Sequence, residues 1–210
     1  MNTGYSRPIT STPARVGRGA YLAALSLTAL MTLCGCTAAV VGGVVVATVV
    51  ATDKRSTGTV IDDQTIEFAV IDHLHNDPGI GPEDHIKVEV YEAVVLLVGE
   101  VEEPATRQLA SQIASGVENV ERVVNELEVA PEADTGERLE NAWLTTKVNS
   151  ALLTENPVPG LDTTRIKVVS SRNNVYLMGL VTREEGKAVA EVARNVSGVE
   201  KVIKVFSYTD

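Results

Sequence analysis

The chain has almost no cysteine: of 210 residues only Cys34 and Cys36 carry a thiol. Two thiols cannot complete the usual four-ligand zinc shell. Acid is absent from residues 1–35, which hold Arg7, Arg15 and Arg18. No G-x-S-x-G, Walker loop or Rossmann fingerprint is present, so the sequence offers no catalytic signature. The formal net charge is −10, which excludes a general nucleic-acid binder, because phosphate contacts need Lys and Arg. Tryptophan occurs once, as Trp143.

What is present at the N-terminus is ordered. A basic head leads into "AYLAALSLTALMTL", apolar from Ala20 to Leu33. That layout predicts a secretory signal peptide over 1–35, and the run is shorter than the roughly 20 apolar residues of a membrane span. The end "LCGC" resembles the lipobox of bacterial lipoproteins, with Leu33 at −3, Gly35 at −1 and Cys36 as the acylated residue. Cys34 at −2 departs from the usual Ala, Ser or Thr and would leave with the signal peptide. A plain membrane anchor and a C-x-C metal pair are the alternatives. The resemblance implies acyl chains on Cys36, and several chains anchor a protein where one binds only marginally. By the lipoprotein sorting rule, the non-acidic Thr37 implies the outer membrane. The apolar, Gly- and Val-rich run after Cys36 is also short for a span, and residues 36–61 read as a lipidated lead-in.

Removing residues 1–35 leaves 15 basic and 28 acidic side chains, a net charge of −13. The remaining 175 residues suit one or two small domains. With no cysteine left for a disulfide, core packing alone must hold them.

An internal repeat fixes the number at two. "IKVEVYEAVVLLVGEV" (86–101) aligns with "IKVVSSRNNVYLMGLV" (166–181), matching Leu97 to Leu177 and Gly99 to Gly179. "VERVVNEL" from Val120 matches "VEKVIKVF" from Val199, and Ile66, Val70 and Leu74 match Leu144, Val148 and Leu152. The units are placed at 62–129 and 141–210, with the polar stretch 130–140 as linker. In each, apolar residues at i, i+4 and i+8 predict a helix. A Pro- and Gly-rich turn follows, then two strands, the second ending at the repeated glycine. A second helix is expected from about Pro104 to Gly116, and from about Thr182 to Asn195. Pro104 suits the first turn, and Thr182 with Glu185 can form a capping box. A last strand closes each unit. The class is α+β, α-β-β-α-β, with two helices on a three-stranded mixed sheet.

This order, the "VxLxG" strand and the "GVxxV" step into the last strand resemble the BON domain. Two such units behind a lipobox and the lead-in "TDKRSTGTVIDDQTIE" resemble the dual-BON outer-membrane lipoproteins, the DolP-like group. The resemblance implies phospholipid binding and maintenance of outer-membrane integrity from the periplasmic face, with no cofactor and no catalysis.

Charge divides the units. Residues 62–129 hold 3 basic and 16 acidic side chains, and residues 141–210 hold 9 and 7. An anionic membrane repels the first unit and tolerates the second. In "NAWLTTKVNSALL", 100° per residue puts Leu144, Val148, Ala151 and Leu152 on a core arc of about 100°. Trp143, Ser150 and Leu153 fall on the far side, with Lys147 beside the tryptophan. Trp and Lys together suit a membrane interface, so Trp143, Lys147, Ser150 and Leu153 are the candidate phospholipid-binding residues. The equivalent Thr65, Ala69 and His75 lack that character; packing of Trp143 on the linker or first unit is the competing reading. Gly99 and Gly179 are expected to be fold-critical, through positive φ or lack of room for a side chain.

His73, His75 and His85 lie near Asp72, Asp77 and Asp84, but two residues apart is not a shared helix face, and a solvated acidic surface is the expected reading. Asp62–Asp63 and Glu102–Glu103 read as charges favouring helix N-termini. The functional expectation is a lipid-anchored protein docking on anionic phospholipid through its second unit. The rival is an adaptor whose acidic first unit binds a basic partner, such as an outer-membrane assembly protein.

Overall fold

The computed structural model describes residues 57–155 and 157–210. Cys34, Cys36, the signal peptide and most of the lead-in lie outside the described residues. The first unit runs α1 (Thr57–Asn76), β1 (His85–Tyr91), β2 (Val94–Val101), α2 (Pro104–Ser115) and β3 (Arg122–Val129). The second runs α3 (Thr135–Glu155), β4 (Lys167–Ser171), β5 (Asn174–Val181), α4 (Arg183–Arg194) and β6 (Lys201–Tyr208). The α-β-β-α-β order is therefore observed twice.

In each sheet the second strand is central, antiparallel to the first and parallel to the third. A tight hairpin can join only the antiparallel pair; the parallel pair needs a crossover, which α2 and α4 supply. Both hairpins turn on two residues of positive φ, Glu92–Ala93 and Arg172–Asn173, the conformation a two-residue turn demands. Glu and Ala are poor residues for it. The Asp63 carboxylate compensates, accepting the N–H groups of Glu92 and Ala93 at 2.9 Å each. This corrects the reading of Asp63 as a helix N-terminal charge: it sits beyond the first turn of α1, buried, and fastens the hairpin.

The central strands do not end at the glycines. β2 and β5 continue two residues further, because the parallel partner still pairs there, Val101 with Val129 and Val181 with Tyr208. α4 is capped as expected: Thr182 Oγ1 accepts from Glu185 N, and the Glu185 side chain accepts from Thr182 N. A second capping box opens α3. Asp134 accepts from Glu137 N at 2.9 Å and Glu137 accepts from Asp134 N at 3.0 Å, so α3 starts at Thr135, inside the polar stretch after the first unit.

Three cores hold the structure. Ile66, Val70 and Leu74 of α1 pack with Ala110 and Ala114 of α2 on one face of the first sheet. Leu144, Val148 and Leu152 do the same with Val189 and Ala193 on the second. The third core lies between the sheets: Tyr91, Val94, Leu96 and Val98 meet Val169, Tyr176, Met178 and Val205. The result is four layers, helix, sheet, sheet, helix. This explains why "VVLLVGEV" is buried at every position; a strand covered on both faces reads as a continuous apolar run. The described residues all belong to one compact unit, and none of their helices is long and apolar enough to cross a membrane.

Candidate functional site

The outer face of α3 exposes large apolar side chains. Its inner side is fixed by Leu144, Val148 and Leu152, all buried. Opposite stand Trp143, 62% exposed, and Leu153, 66% exposed. Ser150 lies exposed between them. Trp143 does not pack away on the linker or the first unit. Early onset of the helix adds a residue the sequence did not offer: Leu139, 67% exposed, one turn before Trp143 on the same face. Leu139, Trp143 and Leu153 form a ridge about 21 Å long at 1.5 Å per residue. The polar stretch around residue 139 reads as linker, which is why Leu139 is not among the expected residues.

Lys147 is less free than its position suggests. Half-buried, its ammonium donates to the Ser197 backbone carbonyl in the turn before β6. Three donors leave it able to meet a second acceptor.

Gly99 and Gly179 are not equivalent. Gly99 has φ +123°, and a Cβ there would lie 2.0 Å from the His85 backbone oxygen. At Gly179 the Cβ would lie 2.9 Å from the Arg165 oxygen and 3.1 Å from Ile166 Cδ1, without a positive φ. The first position combines a strained φ with a direct backbone collision; the second lacks the strained φ, and a side chain there needs a smaller backbone shift. His73 and His75 are exposed on α1, and His85 Nδ1 lies 3.4 Å from Glu132. Among the described residues no group of three His, Cys, Asp or Glu side chains could hold a metal.

The BON-domain family model matches residues 62–131 and again 140–210. The chain belongs to the BON-domain family. It is 42% identical over 187 residues to the outer membrane lipoprotein DolP of Haemophilus influenzae, covering 89% of this chain and 95% of the relative. It is 36% identical over 156 residues to a 21 kDa hemolysin of Actinobacillus pleuropneumoniae, 74% of this chain and 79% of that one. Neither relative is named as an enzyme. A solved structure of CdsD, a type III secretion protein of Chlamydia trachomatis, aligns at 11% identity and a TM-score of 0.29 over 71% of this chain and 91% of that one, too distant to carry an argument. The protein is a dual BON-domain lipoprotein, lipid-anchored at the outer membrane and similar to DolP.

The seam between the BON domains decides which charges remain for a ligand. Lys167 Nζ reaches Glu89 at 2.5 Å and Glu67 at 3.9 Å across the seam. Lys87 holds the other Glu89 oxygen at 2.8 Å. Burial pushes the Glu89 carboxyl up, but Lys167 and Lys87 together outweigh it and hold it below the usual carboxylate range. For Glu67 burial dominates, and its carboxyl stays above its ordinary value despite Lys167. Arg172 Nε donates to the buried Glu100 at 3.0 Å and Arg172 Nη2 to the Pro131 carbonyl at 2.6 Å. Two of the second domain's nine cations are thus engaged by the first domain. The remaining seven only balance its seven acids, so the excess of nine cations over seven acids overstates the charge available to a membrane.

Proposed function

We propose that Cys36 carries the acyl chains, that residues 1–35 are removed as signal peptide, and that the stretch from Cys36 to the start of α1 at Thr57 tethers the two BON domains to the membrane. The second BON domain then docks on anionic phospholipid through α3. The observation that supports this reading is the exposed ridge of Leu139, Trp143 and Leu153. Indole and leucine side chains at headgroup depth lose water-exposed apolar surface. Ser150 sits at the centre of the contact, and Lys147 at its rim shares its ammonium between Ser197 and a headgroup phosphate. On the adjacent α4, Lys187 is exposed and adds cationic character.

The strength is modest. Full burial of one large apolar side chain contributes about 1.5–3 kcal/mol. With each ridge residue about two-thirds exposed, covering all three yields about 4 kcal/mol, close to a millimolar Kd. Such a contact suffices only when an anchor holds the domain beside the membrane. The acyl chains supply attachment and the ridge sets orientation; that pairing fits maintenance of outer-membrane integrity and no catalytic role. The test is flotation of a fragment lacking residues 1–52 with phosphatidylglycerol vesicles. The wild-type fragment should float weakly, and the triple change Leu139→Ser/Trp143→Ser/Leu153→Ser should abolish flotation. Equal flotation of the two would reject the ridge.

A further inference from the structure

A second exposed apolar ridge lies on α1, on the opposite outer layer. Ile61, Phe68 and Ile71 are exposed there, Phe68 by 71%, and they share the side away from the Ile66–Val70–Leu74 core. They are not the counterparts of Trp143 and Leu153: those positions are Thr65 and His75, and Phe68 matches Thr146. The exposed apolar residues thus occupy different helix positions in the two repeats. The surroundings of the α1 ridge also differ. On the flank of α1 next to Ile61 runs a groove of about 930 Å³ whose acidic side chains are Asp62, Asp63, Glu92, Glu118 and Glu121 and whose far wall includes Leu180 and Ser207 of the second domain; the first domain as a whole holds 3 basic and 16 acidic side chains.

From the ridge and its charged flank we infer that α1 of the first BON domain docks a cationic amphipathic segment of another protein. Apolar residues of the segment cover Ile61, Phe68 and Ile71, and its Lys or Arg side chains enter the acidic groove. Charge decides among occupants. An anionic leaflet is repelled by the surrounding carboxylates, and a second copy would bring a like-charged face against this one. A membrane docked on α3 also leaves α1 on the far side of the four-layer sandwich, facing away from that membrane. This inference extends the lipid-docking reading by giving the other face a task, but its test does not pass through α3.

The experiment uses the full acylated chain in zwitterionic nanodiscs. The probe is a fluorescein-labelled Ala/Lys helical peptide of roughly 18 residues, about five turns, with Leu at i, i+4 and i+7; empty nanodiscs give the background. The peptide should bind, Phe68→Ser and Ile71→Ser should each weaken binding about tenfold, and Glu118→Gln/Glu121→Gln should weaken it and flatten its salt dependence. Trp143→Ser should leave it unchanged, which separates this result from failure of the lipid reading. No binding, equal binding to the Phe68→Ser protein, or equal binding of a Glu-for-Lys peptide would overturn the inference. So would vesicle association that needs Phe68 and not Trp143.

Discussion

The Glu100–Arg172 pair joins the two BON domains where it is most costly to break. The Glu100 side chain is 3% exposed and that of Arg172 25%. Arg172→Ala leaves a carboxylate in the seam with only the Ala133 N–H, at 3.4 Å, still donating to it. Removing one partner of a buried ion pair costs 3–5 kcal/mol; the partial exposure of Arg172 puts this case at the lower end, about 3 kcal/mol. Glu100→Ala is milder, about 1–2 kcal/mol, because the guanidinium keeps the Pro131 carbonyl and can turn toward water. Glu100→Met/Arg172→Met should recover most of the loss, since no charge is then buried. The assay is urea denaturation of the fragment lacking residues 1–52, followed by circular dichroism. With a slope near 2 kcal/mol/M, Arg172→Ala should lower the midpoint by about 1.5 M. The shared inter-sheet core should give the wild-type fragment a single transition. A loss below about 1 kcal/mol for Arg172→Ala would refute the reasoning. So would single and double alanine changes that add to within about 0.5 kcal/mol.

Three further outcomes are expected. Gly99→Ala should cost about 3 kcal/mol or more, from backbone strain and collision with the His85 oxygen, against about 1–2 kcal/mol for Gly179→Ala; thermal melts of both variants check the order. The depressed Glu89 carboxyl stabilises the fold above its ordinary value of 4.5 and loses that contribution as pH falls through the folded-state value; Glu89→Gln should flatten the urea midpoint between about pH 5 and 3. Burial pushes the Tyr176 hydroxyl up to about 12 from an ordinary 10. Unfolded chains then ionise first, and stability should fall by up to about 1.4 kcal/mol per pH unit between those values; Tyr176→Phe should remove that slope.

The repeat and its helix and strand order were legible because Ile66–Val70–Leu74 and Leu144–Val148–Leu152 repeat at helical spacing and the strands between them align without gaps. The outward Trp143 was legible for the same reason: one core-facing triad fixes the angle of every other residue on its helix. What escaped depended on contacts between distant residues. Asp63 looks like a helix-end charge until the hairpin at Glu92–Ala93 is folded onto it. Arg172 and Lys167 look available to a membrane until the seam pairs them with acids of the other domain. The continuous apolar strands did carry the signal that both sheet faces are covered. Leu139 and the α1 ridge escaped for local reasons: a capping box hidden in polar sequence, and a comparison made between equivalent positions where the apolar residues had shifted.

The measurement closest to the central claim is the emission of Trp143, the single tryptophan. Before lipid, an indole 62% exposed should emit as in water. Titration with phosphatidylglycerol vesicles should shift emission to the blue, and brominated acyl chains should quench it. Leu139→Ser/Leu153→Ser should shift that titration to higher lipid. Emission unchanged at saturating lipid, or already blue in its absence, would contradict docking through α3.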